Sequence, residues 1–293
     1  MASFWNQGLI ILSLWMGLQH AVTAADSTVK ITPDVVYGHK DGLAMTLDVF
    51  TPSENANGAG VIFIVSGGWY SQWSPPEKLH GMLKPLTDAG YTVFAVRHGS
   101  SPKYGIPDAV ADVRRSVRFI RLNAKQFGIS PNRLGVFGIS AGGHLSLTLG
   151  TTGDDGRAND PDPINRVSDR VQAVAAFVAP TDLTIMVREA KDRLPAYDRF
   201  PALDLDLAAA KKLSPLLQVS ADDAPTLLLA GAKDDLVPVS HSQNIKAAFE
   251  QTQVPNRLVE FPEAGHGLPP ADMKQAIQEM LSWFNKHLAQ PST

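Results

Sequence analysis

Residues 134–144 constrain the chain most. An apolar run over 134–137 leads into Gly138-Ile139-Ser140-Ala141-Gly142-Gly143-His144, which predicts a strand, a very tight turn and the start of a helix. Glycines stand two positions either side of Ser140. A serine flanked in this way sits on a strained strand-to-helix turn, with its hydroxyl projecting above the sheet. A side chain at either flank would collide with the neighbouring strand and helix. As a bare pattern G-x-S-x-G is common, so the chain must also supply an acid, a histidine and an oxyanion site.

The rest of the chain alternates strand and helix. Residues 35–38 and 43–50 predict an antiparallel pair around Lys40-Asp41-Gly42, the second strand alternating Leu43, Met45, Leu47 and Val49. The run over 61–65 is continuously apolar, as a strand covered on both faces must be, and 91–96 and 171–178 are expected as further buried strands. Further strands are expected over 226–230 and 256–261. Helices are expected over 76–89, 107–127, from about 141, over 240–251 and over 272–288. In 107–127, Val110, Val113, Val117, Ile120 and Leu122 form an apolar stripe. Arg114, Arg115, Arg118 and Arg121 fall on or near the opposite face and are read as a solvated, salt-bridged surface in preference to an anion site. Residues 151–170, rich in Gly, Asp, Asn and Pro, predict a long surface loop. Residues 183–212 predict irregular helix interrupted by prolines, a candidate cap insertion over the site. Such alternation implies an α/β fold: a mostly parallel central sheet with helices on both faces and functional loops at the strands' carboxyl ends. With no internal repeat or interdomain linker, residues 25–293 are expected to form one domain.

Composition narrows the function. A chain of 293 residues, 44% hydrophobic and 19% charged, can bury a large core. A net charge of −3 gives no electrostatic case for nucleic acid or an anionic membrane surface. The absence of cysteine excludes disulfides, a thiol nucleophile, a Cys-based metal site and a lipoprotein anchor. At the N-terminus, an apolar run from Gly8 to Leu18 precedes Ala21-Val22-Thr23-Ala24-Ala25. That predicts a signal peptide over 1–24 with cleavage near Ala24, hence a secreted or periplasmic protein with no stable membrane anchor. No Lys or Arg precedes the apolar run, which departs from the usual signal pattern. A buried or interfacial N-terminal helix is the alternative.

A serine hydroxyl is a poor nucleophile near neutral pH, so it needs a base, and the base needs an orienting acid. Asp234 follows the 226–230 strand and His266, in Glu263-Ala264-Gly265-His266-Gly267, follows the strand ending at Phe261. The chain order Ser140, Asp234, His266 is the order expected when an elbow comes first. Asp235 and Asp182 are rival acids, and His144, His98 and His241 rival bases. His144 is read as a packing histidine and His98 as a residue that shapes the pocket. The amide of Ala141, at a helix N-terminus, is expected to donate to an oxyanion, with Gly67 and Gly68 after the 61–65 strand supplying the other donors.

These motifs resemble the α/β-hydrolase superfamily, in its secreted bacterial esterase/lipase branch related to hormone-sensitive lipases and feruloyl-esterase-like enzymes. The resemblance is carried by Asp112-Val113-Arg114-Arg115, by the segment from Phe127 to His144, by Ser214-Pro215, by Gly231…Asp234…Val237-Pro238 and by Gly265-His266. It covers about residues 35–288. It implies a serine hydrolase that cleaves carboxylic esters through an acyl-enzyme, with no cofactor or metal. The expected substrate is a small-molecule or polysaccharide-linked ester, acetyl and hydroxycinnamate esters included. A prolyl-oligopeptidase-like peptidase and a non-catalytic binding protein on the same scaffold are the alternatives. One departure stands out: the branch usually carries His-Gly-Gly-Gly-Trp, where this chain has Val65-Ser66-Gly67-Gly68-Trp69. The aromatic residues Trp69, Tyr70 and Trp73 there fit either stacking on a substrate ring or packing beneath a cover.

Overall fold

The computed structural model describes residues 29–289, so the expected signal peptide lies outside the described residues. Eight strands form one sheet in the order β1-β2-β4-β3-β5-β6-β7-β8. They are β1 (Val29–Lys40), β2 (Leu43–Pro52), β3 (Gly60–Ile64), β4 (Thr92–Val96), β5 (Leu134–Ile139), β6 (Ala173–Phe177), β7 (Thr226–Gly231) and β8 (Asn256–Phe261). β1 pairs antiparallel with β2 and β2 with β4, and every other pairing is parallel. The helices are α1 (Glu77–Asp88), α2 (Ile106–Leu122), α3 (Ala141–Thr152), α4 (Leu207–Lys212), α5 (Ser240–Gln251) and α6 (Pro270–His287).

The period of two along the strands divides the core into two layers. Ile62, Ile64, Phe94 and Val96 point into one layer, closed by Val113 and Val117 of α2, Leu145 of α3 and Phe249 of α5. Val61, Phe63, Val93 and Ala95 point into the other, closed by Leu83 of α1 and Met280 and Phe284 of α6. Because both faces are covered, every residue of β3, β4 and β7 is buried. Each large aliphatic or aromatic side chain so placed contributes roughly 1.5–3 kcal/mol over its exposed state. That double cover explains why these strands are apolar but for a threonine opening β4 and β7.

Two local expectations are corrected. α2 stops at Leu122, five residues before the expected end, because the Asn123 side chain turns back to donate to the Phe119 carbonyl at 2.8 Å. The arginines of α2 do not form a solvated surface. Arg118 is only 7% exposed, and with Arg114 it converges on the fully buried Asp169, at 3.0 and 2.7 Å. Arg115 reaches Asp162 at 2.6 Å and donates to the Tyr37 carbonyl at 3.1 Å, while Arg121 donates to the Ser168 and Arg170 carbonyls. All four guanidinium groups hold the 153–170 loop in place.

The opposite crossover, from β6 to β7, runs through short 3₁₀ turns at Leu183–Ile185, Pro195–Arg199 and Pro201–Leu203 before α4. It is held chiefly by apolar burial: Leu183, Met186, Tyr197 and Leu203 are all buried.

Candidate active site

The elbow is built as its glycines require. Ser140 sits between β5 and α3 at φ 55°, ψ −119°, a left-handed conformation that costs on the order of 1–3 kcal/mol for a residue with a side chain. A Cβ on Gly138 would lie 2.3 Å from the Gly142 backbone, and one on Gly142 would lie 2.7 Å from the Ile64 carbonyl. Only glycine lets β5, α3 and β3 approach this closely. The Ser140 amide donates to the Phe177 carbonyl at 2.8 Å, pinning the turn to β6.

Ser140, Asp234 and His266 meet at the carboxyl ends of β5, β7 and β8. His266 Nδ1 lies 2.8 Å from Asp234 Oδ2, and its Nε2 lies 3.0 Å from Ser140 Oγ. A carboxylate only accepts, so Nδ1 carries the proton and Nε2 is left to accept from the serine hydroxyl. Asp234 is fixed in turn: its Oδ1 accepts the amides of Leu236 at 2.9 Å and Val237 at 2.8 Å. Its carboxylate is thus pre-aimed at the imidazole.

The rival residues are used elsewhere. Asp235 is exposed. Asp182 accepts the Thr184 amide at 2.9 Å, capping a 3₁₀ turn. His241 Nδ1 accepts the Thr181 amide at 3.1 Å. His144 lies between two elements: Trp69 Nε1 donates to its Nδ1 at 3.2 Å, and its Nε2 donates to the Leu213 carbonyl at 2.7 Å. Burial pushes the His144 and His241 imidazoles down to about 4, so both are neutral at pH 7.

The oxyanion turn differs from expectation at one residue. Gly67 and Tyr70 exchange both backbone hydrogen bonds at 3.0 Å, with Gly68 at φ 56° and Trp69 at φ 58° between them. Positive φ at both central positions is the signature of a type I′ two-residue loop. The Gly67 amide, expected as a donor, is therefore committed to the Tyr70 carbonyl. The Gly68 amide has no such partner, and Ala141 lies in the first turn of α3, whose leading amides have no acceptor within the helix.

Two residues that the departure at Val65-Ser66 made prominent support this turn. His98 Nδ1 lies 2.8 Å from the Gly99 carbonyl, so it carries the proton, and Nε2 accepts from the Ser66 hydroxyl at 2.8 Å. Burial lowers the His98 pKa, which keeps that tautomer neutral. Ser66 thus fastens the turn to the segment after β4. Trp69 is buried and bonded to His144, which removes it from any stacking role, whereas Tyr70 and Trp73 are 51% and 56% exposed.

Beside Ser140 lies a small apolar pocket walled by Gly68, Trp69, Met186, Tyr197, Phe200 and Val237. Tyr197 donates its hydroxyl to the Leu236 carbonyl at 2.9 Å, tying the β6–β7 crossover to the Asp234 loop. Burial, with Asp234 nearby, pushes that phenol up to about 12. Among the described residues, no cluster of three or more His, Cys, Asp or Glu side chains is placed to hold a metal ion. No helix there is long and apolar enough to cross a membrane.

The BD-FAE family model matches residues 47–249, most of the sheet and the elbow. The chain belongs to the BD-FAE family. Its architecture is that of an α/β-hydrolase of the esterase/lipase branch, an eight-stranded sheet with Ser140, Asp234 and His266 at the strands' carboxyl ends. The chain is 28% identical over 241 residues to the "Probable carboxylic ester hydrolase LipM" of Mycobacterium tuberculosis, covering 80% of this chain but 55% of that protein. It is 33% identical over 148 residues to an acetylxylan esterase of Xylanibacter ruminicola, covering 49% of this chain and 27% of that protein. A solved acetyl ester-xyloside bifunctional hydrolase from Caldicellulosiruptor lactoaceticus superimposes with a TM-score of 0.74 at 25% identity, covering 86% of this chain and 95% of that one. The chain therefore spans only about half, or less, of the two curated relatives' lengths.

Proposed function

We propose that this BD-FAE member is a serine hydrolase that cleaves carboxylic esters through an acyl-enzyme. The observation that carries the reading is the continuous relay from Ser140 Oγ through His266 to Asp234, at 3.0 and 2.8 Å. Ser140 Oγ attacks the ester carbonyl as His266 Nε2 takes its proton, and a new C–O bond forms. The tetrahedral oxyanion accepts from the Gly68 and Ala141 amides, each such donor contributing on the order of 3 kcal/mol. As the ester C–O bond breaks, His266 returns the proton to the departing alcohol. Water then repeats the sequence on the acyl-serine, releasing the acid and the free enzyme.

The substrate proposed is a short-chain ester, acetyl esters of sugars foremost. The relatives and the solved hydrolase described above support it, and the exposed rings of Tyr70 and Trp73 beside the oxyanion turn are available to stack on a sugar face. Secretion belongs to this reading too, supported by the apolar segment before Ala24.

Wild type and Ser140→Ala should be compared on 4-nitrophenyl acetate, acetylated xylo-oligosaccharide and 4-nitroacetanilide. The reading predicts ester turnover by the wild type, a fall of at least ~10⁴-fold in kcat for Ser140→Ala, and little amide turnover. Undiminished ester hydrolysis in Ser140→Ala would sink it. A preference for the anilide would replace it with a peptidase.

A further inference from the structure

We propose that Phe200 sets the acyl-chain length this site accepts, and that the accepted chain is acetyl. The inference rests on the short-chain ester reading above and goes further, to the one residue that sets the limit. The pocket beside Ser140 opens to solvent, and the centres of water-sized groups can move over only about 20 Å³ of it, so its inner end has room for one or two such groups. Ser140 aside, its exposed lining is almost wholly apolar, so it offers the hydroxyl groups of a sugar few partners. A sugar therefore has to lie outside, and the group enclosed is the acyl methyl.

Which wall sets the limit follows from how each is held. Trp69 is anchored by its bond to His144, and Tyr197 by its bond to the Leu236 carbonyl. Gly68 belongs to the type I′ loop and cannot retreat without breaking the Gly67–Tyr70 pair. Phe200 differs. Its ring lies directly over Gly68, where an added Cβ would come within 2.7 Å of Phe200 Cδ1. That ring is half-buried and has no polar anchor, with the Arg199 guanidinium 5.9 Å from its centroid; Met186, the other unanchored wall, is buried in the core at 2% exposure and has less room to move. It is the removable side of the pocket, roofing the donor amide on one side and the acyl space on the other. An acyl group longer than acetyl has to displace it, and a close-packed wall resists each added methylene.

The test is the ratio of kcat/KM for 4-nitrophenyl acetate to that for the butyrate and hexanoate esters. It is measured in wild type, Phe200→Ala, Phe200→Leu and Phe200→Trp, with Ser140→Ala as control. Wild type should prefer acetate to hexanoate by about 100-fold or more, since one misfitting methylene is worth roughly 10–200-fold. Phe200→Ala should bring that ratio below about ten by raising hexanoate turnover, Phe200→Leu should fall between, and Phe200→Trp should sharpen the preference. If Phe200→Ala proves unstable, the leucine and tryptophan variants move the ratio in opposite directions and suffice. A wild type that prefers hexanoate, or a ratio unmoved by any of the three, overturns the role of Phe200 while leaving the ester-hydrolase reading intact. Full turnover by Ser140→Ala is the separate outcome that defeats that reading.

Discussion

The two irregular connections either side of β6 are held by opposite physics. The 153–170 loop before it is clamped by guanidinium groups on buried or half-buried carboxylates and carbonyls, with Asp169 wholly enclosed between Arg114 and Arg118. The 183–212 crossover after it is held chiefly by apolar burial; its own ion pairs, Arg188 with Asp204 and Arg193 with Asp198, lie within it, and the Tyr197 hydroxyl ties it to the Leu236 carbonyl. Ion pairs with fixed partners are all-or-none: removing one member strands the other in low dielectric. Apolar contacts give gradually, and a wall of them can be reshaped. The charged clamp lies away from Ser140 and the apolar cover over it. The difference predicts that breaking the first costs stability and breaking the second changes chemistry.

Among single substitutions, the largest effect on stability should come from Asp169→Ala. It leaves Arg118, nearly buried, with one of its two carboxylate partners and removes the acceptor of the Asp154 amide, bonded at 2.7 Å. The expected loss is about 3–5 kcal/mol of unfolding free energy. It is read from the urea midpoint, with kcat/KM per folded molecule unchanged. A folded variant with altered acyl preference would erase the contrast.

Protonation of the buried imidazoles comes next. His144 joins the oxyanion turn to the end of the β6–β7 crossover, and burial holds it and His241 at about 4. The unfolded chain, with ordinary imidazoles near 6.5, binds protons that the native rings refuse. Stability is therefore complete above about pH 6.5 and falls as pH drops toward 4, by on the order of 3 kcal/mol per ring at the limit. Urea midpoints at pH 7.5, 6 and 4.5 check the sign, and a midpoint that rises on acidification contradicts it.

The smallest effect belongs to Tyr197→Phe. Losing the bond to the Leu236 carbonyl should cost about 1 kcal/mol and lower kcat less than tenfold, because Asp234 keeps its two amide donors. A loss in kcat above 100-fold would mean that the crossover positions the acid, and would blur the distinction between cover and machinery.

How much of this was legible in the sequence follows the same division. The elbow, Asp234 and His266 were readable because each is set by local backbone: a strand end, a tight turn and glycines where no Cβ fits. Gly231 is one such position, where a Cβ would stand 2.3 Å from the Gly265 carbonyl and push the acid and base loops apart. The oxyanion turn was half legible. Its glycines marked the place, but the pairing that commits the Gly67 amide depends on Tyr70 closing the loop, which composition does not reveal. The arginines of α2 are salt-bridged as expected but not solvated, because amphipathic spacing separates faces without saying that a loop covers the second. Phe200 carried no signal, since its significance lies in a contact with Gly68 across 132 positions of chain.

The central claim, that Ser140 is the nucleophile activated by His266, is tested most directly by mapping a covalent adduct. The wild-type enzyme should be inactivated with a fluorophosphonate and digested, and the modified residue located by mass spectrometry alongside residual ester turnover. One adduct on Ser140, formed in step with the loss of activity and much more slowly in His266→Ala, is the predicted result. Turnover that persists with Ser140 fully modified, or an adduct on any other residue that accounts for the loss, would contradict it.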